Sequence, residues 1–197
     1  MNIWTSKVRV FALTLALLAG CDELAAPQQG QALPRSIALA GGDIVLRAPR
    51  GYCVEQRSVR NGKNNSFALL ARCEALGASR ASATQGFALI TVTTEARAEA
   101  VQPDAETIAR SAAPAKPGAN RSEGDLSLVR FDDTVHQVRG ASPQVWRTAF
   151  VANGNVVALA LYAEDGSPML GDRGARLLSE LARRTRAASA QVTPGHG

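Results

Sequence analysis

Two histidines, three cysteines and a scatter of carboxylates are the residues of this 197-residue chain that could do chemistry. His136 stands close to Asp132 and Asp133, the acid–imidazole pairing that a nucleophilic triad needs. Its nucleophile is missing: Gly140-Ala141-Ser142-Pro143 does not fit the G-x-S-x-G elbow, so His136 reads as an exposed strand histidine. Asp132-Asp133 supplies too few oxygens for calcium and suits a turn. Cys53 and Cys73 lack C-x-x-C spacing, and with only His136 and His196 to help they do not readily build a four-ligand zinc site. Gly41-Gly42 and Gly171-Asp172-Arg173-Gly174 do not match phosphate-loop spacing. Paired carboxylates for glycoside hydrolysis need a spatial separation that sequence does not display, and few aromatics are present to stack sugars. No cofactor or metal is implied. An enzyme or small-ligand site would have to form from dispersed residues, with Tyr52, Arg72, Asp132 and His136 as the candidates.

The remaining cysteine, Cys21, has a distinctive setting. Residues 1–9 are polar with two cations, Lys7 and Arg9, and residues 10–19 are uncharged and apolar. Gly20 and Cys21 follow. A short cationic segment, a short apolar core and small residues before a break describe a secretory signal. The apolar run falls short of the ~20 residues that a spanning helix requires. Leu18-Ala19-Gly20-Cys21 resembles the lipobox of bacterial lipoprotein precursors. That resemblance implies diacylglycerol attachment to the Cys21 thiol, cleavage before it, and a mature chain held to a membrane by two or three acyl chains, enough for stable anchoring. It places the protein in the cell envelope, facing the periplasm, and Asp22 after the cysteine favours the inner membrane. The alternative is an ordinary signal cut near the same place, leaving a free thiol.

With Cys21 assigned to lipid, Cys53 and Cys73 remain, and in an oxidising compartment they can pair. A bridge across 20 positions stabilises a fold by about 3 kcal/mol in the loop-entropy model. Two buried free thiols are the alternative. The full chain carries 22 basic and 17 acidic residues, and losing Lys7 and Arg9 with the leader leaves 20 against 17. This small, interspersed excess gives no case for nucleic acid as a partner. The one basic run, Arg183-Arg184-Thr185-Arg186, suits the carboxyl end of a helix, where cations complement the dipole.

Residues 1–20 are thus expected as signal peptide, 21–40 as a tether rich in Ala, Gln, Gly and Pro, 41–186 as one domain, and 187–197 as a loose tail. The strongest local signal is a hairpin: residues 144–152 and 155–163 are apolar-rich runs joined by Asn153-Gly154, the pair favoured in a type I′ turn. A two-residue loop sets Trp146 opposite Leu161, Thr148 opposite Leu159 and Phe150 opposite Val157. The other face is also apolar apart from Arg147, so the hairpin is expected to lie centrally and be covered on both sides. Further strands are expected at 43–48, 52–55, 66–72, 86–94 and 126–132, with a weaker one at 134–139. Helices are expected at about 104–112, after Pro103, and at 170–186, where Leu170, Leu177, Leu178 and Leu181 form a stripe. Residues 112–124 read as an exposed loop. The order predicts an α+β fold: a twisted, mainly antiparallel sheet covered by helices, with a C-terminal helix.

Ala48-Pro49-Arg50-Gly51-Tyr52-Cys53, Ala71-Arg72-Cys73 and Val145-Trp146-Arg147, followed by the Asn-Gly hairpin and the leucine-rich helix, resemble a group of uncharacterised bacterial envelope lipoproteins. The layout is distantly similar to PsbP-like domains, which implies a twisted antiparallel sheet sandwiched by helices and a non-enzymatic accessory role. Neither resemblance carries a catalytic motif. Two functions follow as expectations: a lipid-anchored accessory module with an envelope protein partner, or a small-ligand binder or enzyme with a pocket of dispersed residues.

Overall fold

Asn153 and Gly154 both take positive φ, +44° and +69°, as a type I′ turn demands. Glycine adopts this region freely and asparagine tolerates it, so this dipeptide closes the hairpin without strain. The computed structural model describes residues 33–77, 87–133 and 138–192. In chain order its strands are β1 (Ser36–Leu39), β2 (Ile44–Arg47), β3 (Tyr52–Asn61), β4 (Asn65–Arg72), β5 (Ala88–Ala96), β6 (Pro117–Glu123), β7 (Leu126–Phe131), β8 (Val145–Ala152) and β9 (Asn155–Ala163). The helices are α1 (Cys73–Gly77), α2 (Ala105–Ser111) and α3 (Asp172–Ser189), with a 3-10 turn, Pro168–Leu170, leading into α3.

Seven strands form one antiparallel sheet in the order β3-β4-β5-β9-β8-β7-β6, and β1 and β2 form a separate pair. The fold is α+β with a C-terminal helix, as the sequence predicts. In the β8–β9 hairpin, Trp146 faces Leu161, Thr148 faces Leu159 and Phe150 faces Val157. Because β9 also pairs along its whole length with β5, the hairpin is interior to the sheet. One face of the sheet carries Phe150, Leu159, Leu161, Leu70, Ile90 and Val92, which pack against Leu178 and Leu181 of α3 and Leu39, Ile44 and Leu46 of β1–β2. The opposite face is covered in part: Ile108 and Ala112, from α2 and its end, pack on Val129, Phe131 and Ala149. Val151, Val156, Ala158, Ala160 and Tyr162 on that face are half-buried.

α3 does more than cover the core. Its fully buried Thr185 and Ser189 hydroxyls accept hydrogen bonds from the backbone N–H groups of Arg47 (3.3 Å) and Val45 (3.0 Å). Those N–H groups lie along the free edge of β2, and the helix satisfies them as a neighbouring strand would.

Four sequence boundaries are corrected. Ser36–Leu39, placed in the tether, is a strand, and Leu39 and Ala40 are buried; four residues are too few to show a period, and the segment is ordered by pairing with β2. Residues 112–124, expected as an exposed loop, contain β6, which pairs only with β7. Its Gly, Asn, Arg, Ser and Glu suit an edge strand that must not recruit another chain. The last helix starts at Asp172 and continues through Ser189, so residues 187–189 belong to it and not to the tail. The first strand of the β3–β4 hairpin also extends to Asn61, beyond the expected 55, through an irregularity between Glu55 and Arg60. There the Ser58 hydroxyl donates to the Glu55 carbonyl (2.6 Å) and accepts from the Leu69 N–H (2.9 Å). The expected weak strand at 134–139 falls largely on 134–137, outside the described residues, and Arg139 and Gly140 form a turn.

Candidate functional site

The chain turns sharply at Gly51, whose φ of +81° favours glycine, and enters β3 at Tyr52. β4 ends at Arg72, the register partner of Tyr52. The residue after each is a cysteine, Cys53 in β3 and Cys73 at the start of α1, and the two are joined in a disulfide with Cα atoms 4.9 Å apart. The Cys73 N–H also donates to the Gly51 carbonyl (2.9 Å). Tyr52 and Arg72 are therefore held side by side by backbone pairing and by a covalent clamp immediately beyond them.

α3 supplies the opposite wall. Arg173, Arg176, Leu177, Glu180 and Arg183 recur at steps of three, one, three and three residues, which places them along one side of a helix. Together with Arg50, Tyr52, Arg72, Glu123 and Met169 they line an open groove of about 740 Å³. Five arginines face it against two glutamates. Both acids are already engaged: Glu123 lies 3.4 Å from Arg183, and Glu180 lies 2.8 Å from Arg184. Arg72 is 3.8 Å from the exposed Glu74, a weak surface contact. Among the described residues, Arg50, Arg173 and Arg176 make no ion pair. The groove thus carries concentrated, unneutralised positive charge, which suits an anion.

Tyr52 forms part of the same wall. It is 3 % exposed, and its hydroxyl is buried without a hydrogen-bond partner, as is Nε of Arg72. Burial pushes the tyrosine hydroxyl above its ordinary pKa, while the nearby positive charges of Arg72 and Arg173 oppose that shift. Tyr52 is consequently a neutral donor at physiological pH. A smaller cavity of about 180 Å³ shares Tyr52, Arg72, Met169 and Arg173 with the groove and adds Glu164.

Of the candidate pocket residues, the structure brings Tyr52 and Arg72 together and leaves Asp132 elsewhere. Asp132 follows β7 and pairs with Arg130 (2.9 Å). His136 and Cys21 lie outside the described residues. Trp146 is a core residue whose indole N–H donates to the Leu170 carbonyl (2.9 Å), fixing the turn that leads into α3. Arg186 stands in the last turn of α3, as expected of a cation complementing the helix end, and also pairs with Asp125 at 2.9 Å, while Arg183 and Arg184 lie before that turn and pair with Glu123 and Glu180. Arg50, Arg173 and Arg176 were not singled out as site residues. One signal was available: Arg173 stands in the first turn of α3, where a cation opposes the helix dipole.

Among the described residues no helix is long and apolar enough to cross a membrane, and no three His, Cys, Asp or Glu side chains cluster to hold a metal. Comparison with protein-family models, with curated proteins and with solved structures found no match to this chain.

Proposed function

We propose that the chain is a lipid-anchored, non-enzymatic binding module of the periplasmic face of the envelope, held through acyl chains on Cys21, whose arginine-lined groove takes an anionic ligand. The observation that carries the reading is the groove itself, where Arg50, Arg173 and Arg176 stand without an ion-pair partner among the described residues around a cavity large enough for a ligand. Of the two function classes raised by the sequence, an accessory surface for an envelope assembly and a site of dispersed residues, the groove supports binding at a concave site formed in part by Tyr52 and Arg72. The anion is then either a free small molecule or a charged group presented by an envelope partner. Anchoring rests on the lipobox-like Leu18-Ala19-Gly20-Cys21, and inner-membrane placement on Asp22.

The test is site-specific photocrosslinking in living cells, with the photoreactive residue replacing Leu177 inside the groove and, as a control, the exposed Val101. A discrete adduct from position 177 alone, lost in Arg173→Glu and Arg176→Glu proteins, is expected. An adduct indifferent to both charge reversals would remove the groove from the function. Repeating the experiment with Cys21→Ser tests the anchor: the adduct should thin or vanish, and an undiminished adduct would detach the binding role from the membrane.

A further inference from the structure

We propose that the groove is a phosphoryl-group site, in which Arg72 and Arg173, supported by Arg50 and Arg176, hold a phosphate ester carrying close to two negative charges or more and Tyr52 donates its hydroxyl to one of the ester's oxygens. The proposal rests on the anionic-ligand reading above and names the chemistry of that ligand.

The first argument is charge. With Glu123 and Glu180 already engaged by Arg183 and Arg184, four guanidinium groups around one cavity remain wholly or nearly unopposed. Their mutual repulsion is relieved best by a ligand of multiple charge. A single carboxylate neutralises one of them; a phosphate monoester carries nearly two charges and presents three oxygens. The second argument is residue type. Every cation on the lining is arginine, whose planar fork binds phosphate oxygens in pairs, and none is lysine.

The third argument is the placement of Arg173. A cation in the first turn of an 18-residue helix is opposed by the helix dipole, and the same dipole favours an anion at that end. The fourth is the pair of unfilled donors. Tyr52 Oη and Arg72 Nε are shielded from water and unpartnered, a condition that buried polar groups rarely keep unless something else completes them. Both residues are on the lining, so a small turn of their side chains toward an anion in the groove supplies the missing acceptors.

Both cavities carry more arginine than glutamate, but the excess is larger in the 740 Å³ groove, with five arginines against two glutamates where the 180 Å³ cavity has two against one, so the phosphoryl group belongs in the groove. That volume exceeds what a bare phosphate fills, and Met169 and Leu177 add apolar surface for the remainder of the ester. A phospholipid headgroup and a soluble phosphate ester share this chemistry.

The experiment titrates the full chain, purified in a nonionic detergent, with inorganic pyrophosphate by calorimetry. A parallel series uses micelles doped with phosphatidic acid or with phosphatidylcholine. Saturable pyrophosphate binding is expected, weakened about tenfold or more in Arg173→Gln and in Arg176→Gln. Tyr52→Phe should weaken it several-fold while leaving the ligand-free protein as resistant to denaturant as before or more so, a combination that a purely structural tyrosine would not produce. Tighter binding to phosphatidic acid micelles than to pyrophosphate, with none to phosphatidylcholine, assigns the site to a lipid headgroup; the reverse order assigns it to a soluble ester. No saturable binding of either phosphate probe, or binding unchanged in both arginine variants, overturns the proposal. If it is overturned while the charge-dependent photocrosslink from position 177 persists, the ligand is an anion of another class. If both are lost, the groove reading falls as well.

Discussion

Tyr52 answers to two demands that pull in opposite directions. Its ring belongs to the main core, yet its hydroxyl has no partner there. A buried, unsatisfied hydroxyl costs a fold about 1–3 kcal/mol, so Tyr52→Phe should stabilise the ligand-free protein, by about 1 kcal/mol in denaturant unfolding. The alkaline behaviour gives a second check. The folded-state pKa of Tyr52 is raised above the ordinary value near 10. Between that ordinary value and the raised one, the folded protein keeps a proton that the unfolded chain has released, so stability falls as pH rises through the window. Unfolding midpoints compared at about pH 9 and about pH 11 should therefore drop less in Tyr52→Phe than in the parent. An equal drop would mean that this hydroxyl is not desolvated.

At the scale of elements, the groove depends on two junctions. The first is the β3–α1 clamp: breaking Cys53–Cys73 with Cys73→Ser should cost about 3 kcal/mol by loop entropy, measured by denaturation, and should loosen Tyr52 and Arg72 together because they precede the bridged cysteines. The second is the entry to α3. A Cβ at Gly174 would collide with the Met169 carbonyl, so Gly174→Ala must shift the 3-10 turn or the first turn that carries Arg173. Overpacking of this kind costs about 1–3 kcal/mol, and a thermal melt unchanged from the parent would show that the junction yields freely. Along α3, Ser189→Ala removes the acceptor for the Val45 N–H and should cost about 1–3 kcal/mol, with faster amide exchange at Val45 as its local signature. Much of this framework was legible beforehand. The Asn153-Gly154 hairpin, its register and the leucine stripe of α3 follow from turn chemistry and periodicity. β1 and β6 were not, because one is too short to show a period and the other has the composition of a loop. Tyr52 and Arg72 were legible as candidates, whereas Arg50 and Arg176 were not, since nothing local marks an arginine as lacking an acid, and Arg173 was marked only by its place in the first turn of α3.

For the whole molecule, the reading joins an anchor at one end to a cationic groove on the domain. If Cys21 carries the acyl chains, Cys21→Ser should move the protein from the membrane to the soluble fraction on cell fractionation; persistence in the membrane fraction would assign attachment to another feature. The sequence by itself determined the α+β class, the position and register of the central hairpin, and the lipobox-like expectation, because these rest on turn chemistry, short-range periodicity and contiguous residues. Tertiary structure alone decided which cations share a cavity. Arg50 comes from the turn between β2 and β3, Arg72 from the end of β4, Arg173 and Arg176 from a helix a hundred residues later, and the acids that neutralise their neighbours come from β6 and from α3 itself. Charge balance depends on distance in space, which folding sets and sequence order does not.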